Sequence, residues 1–90
     1  MKETNFGVEE SDFAEAVAMA SDLFPEQGHM GNNWEAPAFD RASAEVEVRP
    51  YRHGRFEVRI VQSGSRYDTT SNGGRVTHPT KFTFAQKFVK

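Results

Sequence analysis

Three histidines are the first residues to weigh for chemistry. His29, His53 and His78 stand 24 and 25 residues apart. Only Glu26 lies near one of them at a helical ligand spacing, and it shares a face with His29 only in a helical segment, so no metal site is expected. Cysteine is absent, which removes thiolate ligands, cysteine nucleophiles and disulfides. Ser63-Gly64-Ser65 echoes a nucleophile elbow but lacks the full G-x-S-x-G pattern, and it reads as a turn. Gly73-Gly74 lacks the glycine spacing and the Lys-Ser/Thr pair of a phosphate-cradling loop. Carboxylates for acid–base work would have to come from Glu9, Glu10, Asp12 and Glu15, which read as the solvated start of a helix. The expectation is a protein that is not an enzyme, with no catalytic residue, no metal and no cofactor.

Residues suited to binding are more prominent. Tyr51-Arg52-His53-Gly54-Arg55 forms a basic, aromatic segment, and Arg66, Arg75, Lys81, Lys87 and Lys90 lack an obvious acidic mate in the expected strand pairing. Arginines beside aromatic faces suit phosphate contact and base stacking, so Arg52, His53, Arg55, Arg66 and Arg75 are candidates for a nucleic acid or another acidic partner. Against nucleic acid stand a pI near 5.9 and a strongly acidic first half. Residues 1–45 hold ten acidic side chains against Lys2 and Arg41, a balance of -8, whereas residues 46–90 balance at +6. Such segregation fits a surface with one acidic and one basic region, or halves that neutralise each other within the fold or across a homodimer. Trp34, the only tryptophan, and Tyr51 are aromatic anchors of the kind enriched at protein interfaces. With Glu9, Glu10 and Asp12 they make the candidate protein-binding set.

The elements that must position these residues follow from periodicity. Ser11 to Phe24 predicts a helix, with Ser11 as N-cap, Asp12 and Glu15 at the positive end of the dipole, and a buried stripe of Phe13, Val17, Ala20 and Phe24. Pro25 stops it. Residues 25–43 show no sustained period and predict an irregular loop that carries Trp34. Residues 44–50 and 55–62 alternate apolar and polar side chains and predict a hairpin across Arg52-His53-Gly54, with Gly54 left-handed. In that register Val48 faces Val58, Val46 faces Ile60, Arg49 faces Glu57 and Glu47 faces Arg59. Shifts of one or two residues would oppose valines to charges or like charges to each other. A second turn at Ser63-Gly64 predicts a strand at 65–70, with Tyr67 opposite Ile60, Thr69 opposite Val58 and Asp68 beside Arg59. The strong turn signal Asn72-Gly73 then leads to strands at 75–78 and 81–89, the last with Phe82, Phe84 and Phe88 inward. The expected architecture is α+β in one domain, an amphipathic helix packed on an antiparallel meander of four to five strands.

Composition agrees. Leu, Ile, Val and Phe together supply 18 of 90 residues, a thin core carried by phenylalanine, and the net charge of -2 is too low to favour disorder. No apolar run approaches a membrane span, and the N-terminus lacks the apolar stretch of a signal peptide. A cytoplasmic location without membrane contact is expected.

In size and layout the chain resembles the small accessory proteins of phages and mobile elements, a class that includes inhibitors of host enzymes and anti-CRISPR proteins. The resemblance implies an inhibitor or regulator of a host protein or of a nucleic-acid-processing complex, acting by steric and electrostatic occupation. No residue role comes with it. The alternative expectation is a nucleic-acid-binding module that uses the Tyr51–Arg55 tip.

Overall fold

The structure, a computed structural model, describes residues 1–26, 28–30 and 35–89. Four strands form one sheet in the order β1-β2-β3-β4, with β1 at Lys2–Asn5, β2 at Glu45–Pro50, β3 at Phe56–Thr69 and β4 at Arg75–Val89. The helix α1, Glu10–Ala20, packs on one face of the sheet, giving the α+β class that the sequence predicts. The sheet is mixed and not wholly antiparallel, because β1 pairs parallel to β2 with Lys2 opposite Glu45 and Asn5 opposite Val48. Lys-Glu-Thr-Asn carries no apolar alternation, so this strand is held by its backbone ladder and left no signal in the sequence.

The helix begins one residue before the position expected for its cap. Glu9 occupies the N-cap without a side-chain bond, and Ser11 lies inside the helix. Its buried faces are Ala16 and Ala20, both fully enclosed. Their small side chains bring the helix backbone close to Val46, Val48, Val58 and Ile60 on the sheet, while Phe13, Met19, Leu23 and Phe24 pack around the rim. Val17, expected in the stripe, instead lines a shallow groove with Glu3, Glu10, Phe13, Ala14 and Ala18. A single 3-10 turn, Ser21–Leu23, ends the helix before Phe24 turns extended ahead of Pro25.

The first hairpin has the predicted register. Val48 faces Val58, Val46 faces Ile60, Arg49 faces Glu57 and Glu47 faces Arg59. Arg52–Gly54 forms the connecting turn, in which His53 and Gly54 both adopt left-handed conformations at φ of 62° and 71°. Histidine tolerates that region better than most side chains with a Cβ.

The second turn differs from expectation. The chain runs straight through Ser63-Gly64, and β3 continues for 14 residues to the Asn72-Gly73 turn, where Gly73 has φ of 79°. Tyr67 therefore faces Thr77, Thr69 faces Arg75 and Asp68 faces Val76, not the β3 residues expected for them. The expected strands at 55–62 and 65–70 are one strand, as are those at 75–78 and 81–89. Gly64 serves packing instead of turning, since a Cβ on it would lie 2.7 Å from Phe82 Cε2 and 3.2 Å from Pro37 Cδ. Beyond that glycine the two strands leave the body as a ribbon whose residues 65–69 and 75–79 are exposed on both faces. The longest dimension reaches 51 Å as a result.

One irregularity decides what the end of β4 does. Ile60 pairs with Ala85 but Val61 pairs with Thr83, so Phe84 is an extra residue on β4, a β-bulge. Phe82 and Phe84 point into the core as expected. After the bulge the alternation inverts, Ala85 and Val89 pack on the core, and Phe88 turns to the opposite face. The expectation that Phe88 points inward is corrected for that reason.

Residues 25–43 are less irregular than expected where they are described. Met30 and Ala38 form a bridge, and Arg41–Ser43 makes a 3-10 turn capped by Asp40, whose carboxylate accepts from Ala42 N and Ser43 Oγ. Gln62, buried in the sheet, donates to Ala38 O at 3.1 Å and accepts from Asp40 N at 2.9 Å, fastening this segment over Phe39 and Phe84.

Candidate interaction surface

The sheet face away from α1 has no second layer among the described residues. It carries Glu45, Glu47 and Arg49 from β2, Glu57, Arg59 and Val61 from β3, and Lys81, Thr83 and Phe88 from β4. Glu47 and Glu57 are each only 6% exposed, although they lie on the uncovered face. Long cationic side chains cover them. Arg49 donates to Glu47 at 3.1 Å, Lys81 reaches Glu47 at 3.3 Å and Glu45 at 3.6 Å, and Arg59 donates to Glu57 at 2.6 Å. Arg49 and Arg59 thus bond along their own strands, and the predicted cross-strand pairs hold in register without a direct ion pair. Lys81 has acidic mates after all, and Arg66 lies 3.8 Å from Glu35. Arg59 takes Glu57 in place of the expected Asp68, which bonds His78 at 3.1 Å.

At one end of this face, neutralised carboxylates give way to exposed rings and arginines. Tyr51 and Phe88 pack with ring centroids 4.6 Å apart and planes tilted by 50°. Arg52 and Arg55 both approach the Tyr51 ring at 5.6 Å, and Arg55 also lies 5.5 Å from Phe88. Arg49 covers Phe6 at 3.9 Å, on the turn that follows β1. The three rings are well exposed for large side chains, with Phe6 at 43%, Tyr51 at 41% and Phe88 at 38%.

This end continues round the edge into a groove of about 340 Å³ lined by Val8, Glu9, Asp12, Pro50, Tyr51, Gly54, Arg55 and Phe56. One wall is the acidic start of α1, the other the basic hairpin tip, and the floor is apolar. The fold therefore brings Glu9 and Asp12 beside Tyr51 and Arg55, residues more than 35 positions apart in the chain. Glu10 faces away, toward the groove beside β1. His53 is exposed at the tip. Arg66 and Arg75 belong elsewhere, on the projecting ribbon, where Arg75 lies 4.9 Å from the Tyr67 ring. Trp34 lies outside the described residues.

Sequence reasoning located Tyr51, Arg52 and Arg55 but missed Phe6 and Phe88. Phe88 was concealed by the bulge, for which the adjacent apolar pair Phe84-Ala85 is the one visible sign. Phe6 follows a strand that the sequence did not announce. Among the described residues no three His, Asp or Glu side chains stand together as a metal site, and no helix is long and apolar enough to cross a membrane. No family model, curated protein or solved structure matches the chain.

Proposed function

We propose that this protein is a non-catalytic binding protein that docks on a macromolecular partner through the hairpin tip and the groove beside it. The observation that carries the reading is the cluster of three exposed rings, Phe6, Tyr51 and Phe88, each with an arginine over or beside it. Exposed aromatics and arginines are the residue types that concentrate binding energy at interfaces, and a ring held against a neighbour loses little rotamer freedom on docking. The acidic wall formed by Glu9 and Asp12 favours a protein over a polyanion, because a basic partner side chain seats there while an acidic one meets Arg55. In its most concrete form the protein is a cytoplasmic inhibitor or regulator that covers a working surface of a host protein or a nucleic-acid-processing complex. Binding to single-stranded nucleic acid is the second reading, favoured by the approach of Arg52 and Arg55 to exposed rings.

The test is capture of partners on immobilised wild-type protein and on Tyr51→Ala/Phe88→Ala, each from nuclease-treated and untreated lysate of the source cells. A stoichiometric protein that survives nuclease and binds the double variant at least about 30-fold more weakly supports the proposal. Capture unaffected by the double substitution overturns the assignment of the tip. Capture that vanishes with nuclease replaces the protein partner by nucleic acid.

A further inference from the structure

The projecting ribbon has two free edges, and they differ in chemistry. On the β3 side, β2 pairs only with Phe56–Val61, so among the described residues no strand pairs with positions 62–69 on that side. On the β4 side, the whole of Arg75–Val89 forms the outer edge of the sheet. An exposed edge offers unpaired N–H and C=O groups to any passing strand, and folded proteins blunt such edges with lysine, proline and bulges. The β4 edge carries Pro79, Lys81, Lys87 and the bulge at Phe84, and it contains no acidic residue at all. Two copies meeting along it would oppose cations only. That edge is guarded against self-association. The ribbon part of the β3 edge has neither proline nor lysine.

Its sequence is instead self-complementary. Two copies of Ser65-Arg66-Tyr67-Asp68-Thr69, paired antiparallel about Tyr67, set Arg66 opposite Asp68 of the second copy and Asp68 opposite its Arg66. Tyr67 then faces its own equivalent, and Ser65 faces Thr69. A two-fold axis normal to the sheet requires residues from the same face to be opposed, so only every second register is open. Of these, centring on Arg66 puts the two Arg66 side chains together, and centring on Asp68 does the same for the two aspartates. Only the Tyr67-centred register pairs opposite charges, the same selection that fixes β2 against β3.

We infer that the protein forms a two-fold dimer by antiparallel pairing of this β3 edge, joining two ribbons into a four-stranded sheet ordered β4-β3-β3-β4. The inference does not depend on what the hairpin tip binds. Isolated two-stranded ribbons are marginal in water, and two such ribbons joined have the strand number that supports a stable sheet. Arg66 and Asp68 already have ion-pair partners in Glu35 and His78, but the His78 pair is exposed on both sides and Arg66 stands 3.8 Å from Glu35 with half its own side chain in solvent, so both can re-form across the dimer. Tyr67, 56% exposed, finds its equivalent as an aromatic neighbour. The contact is narrow, so the dimer belongs to the weak class of interfaces.

Sedimentation velocity from about 1 µM to about 1 mM reads the association. Wild type is expected to pass from monomer to dimer within that range. Arg66→Asp alone and Asp68→Arg alone each replace two attractive pairs by two repulsive ones and weaken the dimer about tenfold or more. The combined Arg66→Asp/Asp68→Arg swap restores both pairs and returns the association to the wild-type range. Tyr67→Cys, in a chain without other cysteines, forms a covalent dimer on mild oxidation, while Thr77→Cys on the same face of β4 does not. A wild-type monomer at every concentration overturns the inference, as does a dimer insensitive to either single reversal. Restoration by the swap separates pairing of these residues from any unfolding caused by the single variants.

Discussion

Gly64→Ala isolates what this glycine contributes. The Gly64 φ lies outside the left-handed region, so no backbone strain accompanies the substitution. What meets the new methyl is solid structure. It would lie 2.7 Å and 3.0 Å from two carbons of the Phe82 ring and 3.2 Å from Pro37 Cδ, against an ordinary contact of 3.4–4 Å. Phe82 is 5% exposed and belongs to the main core, so the ring gives way only by disturbing its neighbours. Overpacking of this kind costs about 1–3 kcal/mol, offset by about 0.4–1 kcal/mol because alanine has less freedom than glycine in the unfolded chain. The expected net loss is about 1–2 kcal/mol, which for a chain of this size lowers Tm by roughly 5–15 °C. Thermal and urea unfolding followed by circular dichroism measure it. Phe82→Leu combined with Gly64→Ala should cost less than the two single losses added, since the smaller side chain clears the methyl. If Gly64→Ala melts at or above the wild-type temperature, the close packing of Phe82 on Gly64 is wrong and the entropic gain alone remains.

Two further substitutions test the supports of the surface. Gln62→Ala strips partners from Ala38 O and Asp40 N and should cost about 1–3 kcal/mol in urea, with faster amide exchange at Asp40 than at Val58. Glu47→Ala removes the anion under Arg49 and Lys81. Both cations are nearly half exposed and can turn to water, so the expected loss is only about 1 kcal/mol, and 1 M salt should shrink the difference between variant and wild type.

What the sequence disclosed depended on whether one rule met a rival. Between β2 and β3, alternation and opposite charge agree on a single register, and His53-Gly54 supplies the turn, so the hairpin was legible to the residue. Between β3 and β4, two turn signals competed. Ser63-Gly64 is chemically a turn, but a chain folding there would have stranded Phe82 without the glycine it packs on, and Asn72-Gly73 prevailed through tertiary packing. The parallel strand β1 had no pattern to read, because none of its four side chains is apolar. The same distinction holds for the candidate surface. Tyr51, Arg52 and Arg55 are contiguous and were recognisable, whereas Phe6 and Phe88 join them only through a crossover and a bulge.

That bulge has a consequence at the level of the gene. Phe84 is one residue more than the pairing of β4 with β3 requires. An in-frame loss of the Phe84 codon would remove that residue and restore strict alternation, while Ala85 stayed opposite Ile60 and Phe88 opposite Glu57. Phe88 would remain beside Tyr51 and Lys87 on the helix side of the sheet, without any other amino acid being exchanged. A lineage carrying this fold can thus shed or regain one core ring by a single deletion or insertion without changing the composition of its outer surface.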